Sequence, residues 1–103
     1  MPEVLVQFDE PMSDSDGAMY YAQAAGRQRE DSLWEGWIEF IGMSESARSI
    51  CSDRETTQPN RADLEYWAQG LSRVYLQGAL ARAGSCAEPV QGETAPRENS
   101  RNA

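Results

Sequence analysis

The chain has 103 residues, 17 of them acidic and 9 basic, for a formal net charge of −8; that length suits one domain and not two. An acidic balance argues against binding through nucleic-acid phosphates, which depends on basic side chains that displace counterions. Histidine is absent, which removes imidazole acid–base chemistry and histidine-activated nucleophiles.

Residues 3–8 alternate, with Val4, Val6 and Phe8 on one face and Leu5 and Gln7 on the other, so a strand is expected. Residues 9–17, DEPMSDSDG, are acidic and rich in turn formers and read as a loop. Asp9, Glu10, Asp14 and Asp16 lack the ligand spacing and closing glutamate of an EF-hand, so no metal site is assigned there. Residues 18–29 read as a second strand, although their alanine-rich middle also suits a helix. Residues 33–41, LWEGWIEFI, carry the clearest strand pattern. Trp34, Ile38 and Phe40 share one face with Gly36; Leu33, Trp37 and Ile41 lie on the other, with Glu35 and Glu39 between them. Glycine in mid-strand suggests close approach by another backbone or a bulge. A weaker fourth strand is expected over residues 47–53, around Ile50.

Pro59, Asn60 and Asp63 compose a helix start: a break, an N-cap and an acidic side chain three residues on. The helical pattern then runs over 61–83, and Gly84 supplies a stop. At about 100° per residue, Leu64, Trp67, Ala68, Leu71, Val74, Tyr75 and Gly78 gather on one side and would cover the sheet. Tyr66, Leu76 and Leu80 gather on the opposite side, bordered by Arg73 and Gln77, and predict a second contact there, a two-fold dimer interface or a partner groove. The expected fold is α+β: an antiparallel sheet of three or four strands covered by one long C-terminal helix, in a single domain over 1–84. Trp34, Ile38, Phe40, Trp67 and Leu71 should join sheet to helix. The pattern ends after Gly84, and residues 85–103 are expected to be disordered.

Cys51 and Cys86 stand apart, with no CxxC spacing. Two free thiols in a reducing cytosol are the expectation, and a disulfide tying the tail to the body is the alternative. Glu35 and Glu39 are four apart on one strand, about 13 Å along it, too far for one ion, and read as solvated charges. Arg48, Arg54 and Arg61 surround Thr56, Thr57, Gln58 and Asn60 at the helix N-terminus. Free N–H groups and the helix dipole favour an anion or a partner's carboxylate at such a place; the same residues also suit a local network that pins the strand-to-helix corner. No phosphate loop or dinucleotide glycine pattern occurs, so no catalytic residue, metal or cofactor is assigned.

Two blocks, WEGWIEF over 34–40 and ETTQPNRADLEYWAQGLSRVYLQGAL over 55–80, resemble a group of small bacterial proteins, a likeness that carries no mechanism. The expected order of strands followed by a helix is similar to HicB-like antitoxins, which neutralise a small RNase toxin and dimerise. The glycine-rich segment after the third strand and the EA-rich helix start of that group do not occur here. The expectation is a non-enzymatic protein-interaction module of the cytoplasm, accessory or antitoxin-like, acting as a homodimer. It would bind neither nucleic acid nor membrane directly: no apolar run approaches the roughly 20 residues of a membrane span, and MPEVLVQF lacks a signal peptide's basic start and apolar centre. The alternative is an acidic inhibitor that covers a basic nucleic-acid-binding surface.

Overall fold

The computed structural model describes residues 2–45, 47–87 and 90. Its strands are β1 (Glu3–Gln7), β2 (Met12–Ser13), β3 (Met19–Gln28), β4 (Trp34–Gly42), β5 (Ile50–Cys51) and β6 (Thr56–Gln58), followed by helices α1 (Arg61–Gln69) and α2 (Arg73–Arg82). The spine is the β3–β4 hairpin, in register from Tyr20 opposite Gly42 to Gln28 opposite Trp34. β1 and β2 both pair with β3, and β5 and β6 both pair with β4, so two broken outer strands flank the hairpin in one six-stranded sheet, antiparallel throughout. The strand β2 lies inside the segment expected to be loop, because Met12 supplies a core side chain that is 1% exposed.

Helix propensity in the middle of β3 yields to packing. Ala22 and Ala24 sit opposite Phe40 and Ile38, and all four are buried; small side chains on one strand make room for large ones on the next. Gly26 pairs with Gly36, and Leu64 of α1 rests over both. A Cβ at Gly26 would lie 2.6 Å from a Leu64 methyl, and one at Gly36 would lie 2.8 Å from Leu64 and from the Trp67 ring. Gly36 therefore answers to side chains, chiefly those of α1, whereas a Cβ at Gly26 would also lie 2.6 Å from the backbone carbonyl of Glu35. In β1 the register shifts between Val4 and Val6, which pair with Ala25 and Ala24. This bulge places Leu5 beside Val6 against the core, against the simple alternation read from the sequence.

The single long helix is not formed. Asn60 caps α1 as expected, its Oδ1 accepting the Asp63 N–H at 2.8 Å, but α1 closes at Gly70. Ser72 then opens α2, its Oγ accepting the Tyr75 N–H at 3.1 Å. Glycine weakens the helix and serine offers a rival cap two residues later. The break resets the phase. On α1 Leu64 and Ala68 are buried; on α2 the buried residues are Leu76, Ala79 and Leu80. Val74, assigned to the covered stripe, is 84% exposed. Of the expected core set, Ile38 and Phe40 are fully buried, Trp67 and Leu71 pack against the core partly covered, and Trp34 is only half-buried.

Beyond α2 the chain returns to the sheet edge. Gly84 and Cys51 exchange both backbone hydrogen bonds, at 2.8 and 2.9 Å, and Cys51 and Cys86 form a disulfide. The expectation of two free thiols is thus corrected. The expected disorder of 85–103 falls mostly on residues outside those described; within it Cys86 is tied to β5 and Val90 is 7% exposed. Among the described residues no helix is long and apolar enough to cross a membrane.

Candidate functional site

Alternation along the hairpin places Tyr21, Gln23, Ala25 and Arg27 of β3, with their partners Ile41, Glu39, Trp37 and Glu35 of β4, on the sheet face opposite the helices. Gln7 joins this face at Gln23, and Cys51 joins it at Glu39. A polar row crosses the sheet. Gln7 Nε2 donates to Gln23 Oε1 at 3.3 Å, Gln23 Nε2 donates to Glu39 Oε1 at 2.8 Å, and Trp37 Nε1 donates to Glu39 Oε2 at 3.0 Å. Gln23 and Glu39 are 1% and 2% exposed, so these bonds replace water that the two side chains have lost.

Farther along the face, Arg27 Nε lies 3.0 Å from Glu35 Oε2, and the guanidinium carbon stands 5.6 Å from the centroid of the Trp37 ring, a cation–π distance. Arg54 Nη1 approaches Glu35 Oε1 at 4.0 Å. With Ser52, Asp53, Ser85 and Ala87, these groups line a cleft of about 200 Å³. Its walls are held by the fold. Ser52 Oγ accepts the Ile38 N–H at 3.0 Å and donates to the Asp53 carbonyl at 2.9 Å, and the Ser52 N–H donates to the Ile38 carbonyl. The disulfide brings Ser85 and Ala87 to the opposite wall. Among the described residues no three His, Cys, Asp or Glu side chains converge to hold a metal. The cleft offers carboxylates, guanidinium groups and an indole wall, the chemistry of recognition by charge and stacking.

Reading Glu35 and Glu39 as solvated charges is corrected by burial of Glu39. The Gln23–Glu39 pair was missed because it depends on strand register; the visible signal was a glutamine on one strand and a glutamate on the next, both on the polar side.

The helix-face residues have other work. Leu76 and Leu80 belong to the core, at 4% and 3% exposure. Arg73 pairs with Glu10 at 3.2 Å and donates to the Pro11 carbonyl, and Gln77 Nε2 donates to the Ser13 carbonyl at 3.0 Å; both fasten α2 to the segment around β2. Tyr66 stays 80% exposed. The break in the helix separates Tyr66 from Leu76 and Leu80, so these three do not form the expected face.

The polar set at the helix N-terminus divides in the same way. Arg61 pairs with Glu3 at 2.7 Å and with Glu65 at 3.5 Å. Gln58 Nε2 donates to Thr56 Oγ1, and Asn60 caps its own helix. Thr57 pairs with Glu35 across β6 and β4. Arg48 is exposed before β5, and Arg54 reaches the cleft. The N-terminus of α1 already holds Asn60 and the first-turn Asp63, so the local network describes it better than an anion site.

A separate cluster joins α2 to the chain before β6. The Tyr75 hydroxyl donates to Glu55 Oε1, and Arg82 Nη2 lies 2.9 Å from both Glu55 oxygens. Burial alone would raise the Glu55 pKa, but hydrogen bonds from Tyr75 and Arg82 outweigh it and hold the carboxyl below its usual 4.5. The bond to Glu55, with burial second, raises Tyr75 above 10.0. A carboxyl depressed in the folded state stabilises the fold above its unfolded pKa, and this contribution is lost as pH falls through the lowered value. The stability profile should therefore drop below about pH 4.5, and Glu55→Gln should flatten that acid limb in urea titrations at pH 3 to 7. An unchanged limb would remove Glu55 as its cause.

No protein-family model matches the chain, and comparison with curated proteins and with solved structures also yields no match.

Proposed function

We propose that the chain is a non-enzymatic protein-interaction module that engages a basic partner through the sheet face opposite its helices. The composition of that face carries the reading. Met19, Tyr21 and Met43 are 38%, 42% and 45% exposed at one end, and the Trp37 cleft occupies the other. Exposed aromatic and methionine side chains beside a polar pocket match the make-up of interface patches. A net charge of −8 favours encounter with a basic surface. The edge is less suited to strand addition, because β1 has five residues and a bulge.

The acidic inhibitor of a nucleic-acid-binding surface draws less support. Glu3, Glu10 and Glu55 are each paired with an arginine from a different part of the helices, so the acids form no single array. A dimer through the second helix face is not retained, since Leu76 and Leu80 serve the core. Capture from extract of the source organism tests the reading, with the wild-type chain and a Met19→Ser, Tyr21→Ser, Met43→Ser triple variant as baits. A basic protein held by the wild type and lost by the variant supports it; retention by both baits, or by neither, overturns it.

A further inference from the structure

We infer that the cleft is a binding site for a guanidinium or ammonium group, with Glu39 as its counter-charge and Trp37 as its wall. The inference rests on the interaction-module reading and names what the partner presents there.

Glu39 carries the argument. Its side chain belongs to a residue 2% exposed, yet both of its hydrogen-bond donors, Gln23 and Trp37, are neutral. Among the described residues no arginine comes within salt-bridge distance of it; Arg27 and Arg54 both turn to Glu35. A carboxylate removed from water is costly unless a positive charge meets it. Each of its oxygens accepts one bond and retains a lone pair for another, so an incoming N–H donor finds acceptors already positioned. Among the described residues, Glu35, Glu39 and Asp53 against Arg27 and Arg54 leave the cleft lining one negative charge in excess (3 − 2 = 1). That sign disfavours phosphate or carboxylate ligands. Size narrows the class further. A volume of about 200 Å³ lies below the roughly 300–1,000 Å³ of pockets that enclose drug-sized molecules. It suits one side-chain head group, with Trp37, already in contact with Arg27, as part of its lining.

The Trp37 indole N–H, donating to Glu39, is a built-in reporter. Titration of the isotope-labelled, disulfide-intact chain with N-acetylarginine amide, at constant ionic strength, should give a saturating shift of that resonance in the millimolar range. The citrulline analogue, which keeps the shape and loses the charge, should give none. Methylguanidinium separates the sources: weaker binding than the arginine amide assigns the group to a peptide side chain, and equal binding assigns it to a free small cation. Glu39→Gln should weaken binding by about tenfold or more, the loss of a hydrogen bond to a charged group. If that variant does not fold, Asp53→Asn at the exposed mouth should weaken it about threefold, as for a rim charge. No saturating shift, an equal response to the citrulline analogue, or unchanged affinity in the variant that folds overturns the inference. The titration needs no partner, and the capture experiment leaves the cleft intact, so either idea can fail alone.

Discussion

Replacing Leu76 and Leu80 together by glutamate should leave the chain unfolded at 25 °C. Both side chains sit in the cluster that contains Met12, Tyr20, Phe40 and Ala79, under α2 and over the upper half of the hairpin. Truncation of a buried leucine costs about 2–5 kcal/mol, so the pair removes about 4–10 kcal/mol before any charge is counted. Two carboxylates forced into that apolar layer would add to the loss or drag α2 off the sheet. Domains of this size hold about 5–15 kcal/mol in all, so the double change exhausts most or all of the reserve. Far-ultraviolet circular dichroism and one-dimensional proton spectra decide the matter. A folded variant would place both leucines on the surface, where an unbroken helix would have put Leu76 and Leu80, and would refute the break at Gly70.

That break marks the limit of what the sequence discloses. The strands over Met19–Gln28 and Trp34–Gly42 and the Asn60 cap were legible because each has a local cause: alternation, or a side chain that reaches its own backbone. Gly70 and Ser72 are equally local, but a glycine inside an apolar period reads as a tolerated cost, and Ser72 becomes a cap only once the helix has closed before it. Two residues of error in the break rotate everything after them, so the stripe correct for Leu64 and Ala68 became wrong for Val74, Leu76 and Leu80. The two-residue strand β2 has no period of its own and exists because β3 offers a free edge; β5 falls within the weak strand expected around Ile50, shortened to two residues beside β4. The site followed the same rule. Trp37 and Glu39 were assigned to the outward face correctly, whereas the burial of Glu39 depends on Gln23, sixteen residues away, and on a tail held by a disulfide. Spacing alone does not report such contacts.

Removing the disulfide should produce the other large effect. Cys51 and Cys86 are 35 residues apart, and the loop they close contains β6 and both helices, nearly all the structure that covers the core face. Constraining a loop of that length raises the unfolded-state free energy by about 4 kcal/mol in the chain-entropy model, and measured losses run about 2–5 kcal/mol. Among the described residues, the backbone contact beside the link is the pair of hydrogen bonds between Cys51 and Gly84. They add about 0.5–1.5 kcal/mol each and do not replace the covalent link. A Cys51→Ser, Cys86→Ser variant, or the wild type in excess dithiol, should lose about 1–2 M from its urea midpoint, given a slope of about 1–3 kcal/mol/M. The indole resonance of Trp37 should move as well, because Ser85 and Ala87 form one wall of its cleft. An unchanged midpoint under reduction would mean that the helices hold the sheet without the link. A lower midpoint with an unmoved Trp37 resonance would keep the disulfide as a brace for the helices and remove it from the architecture of the cleft.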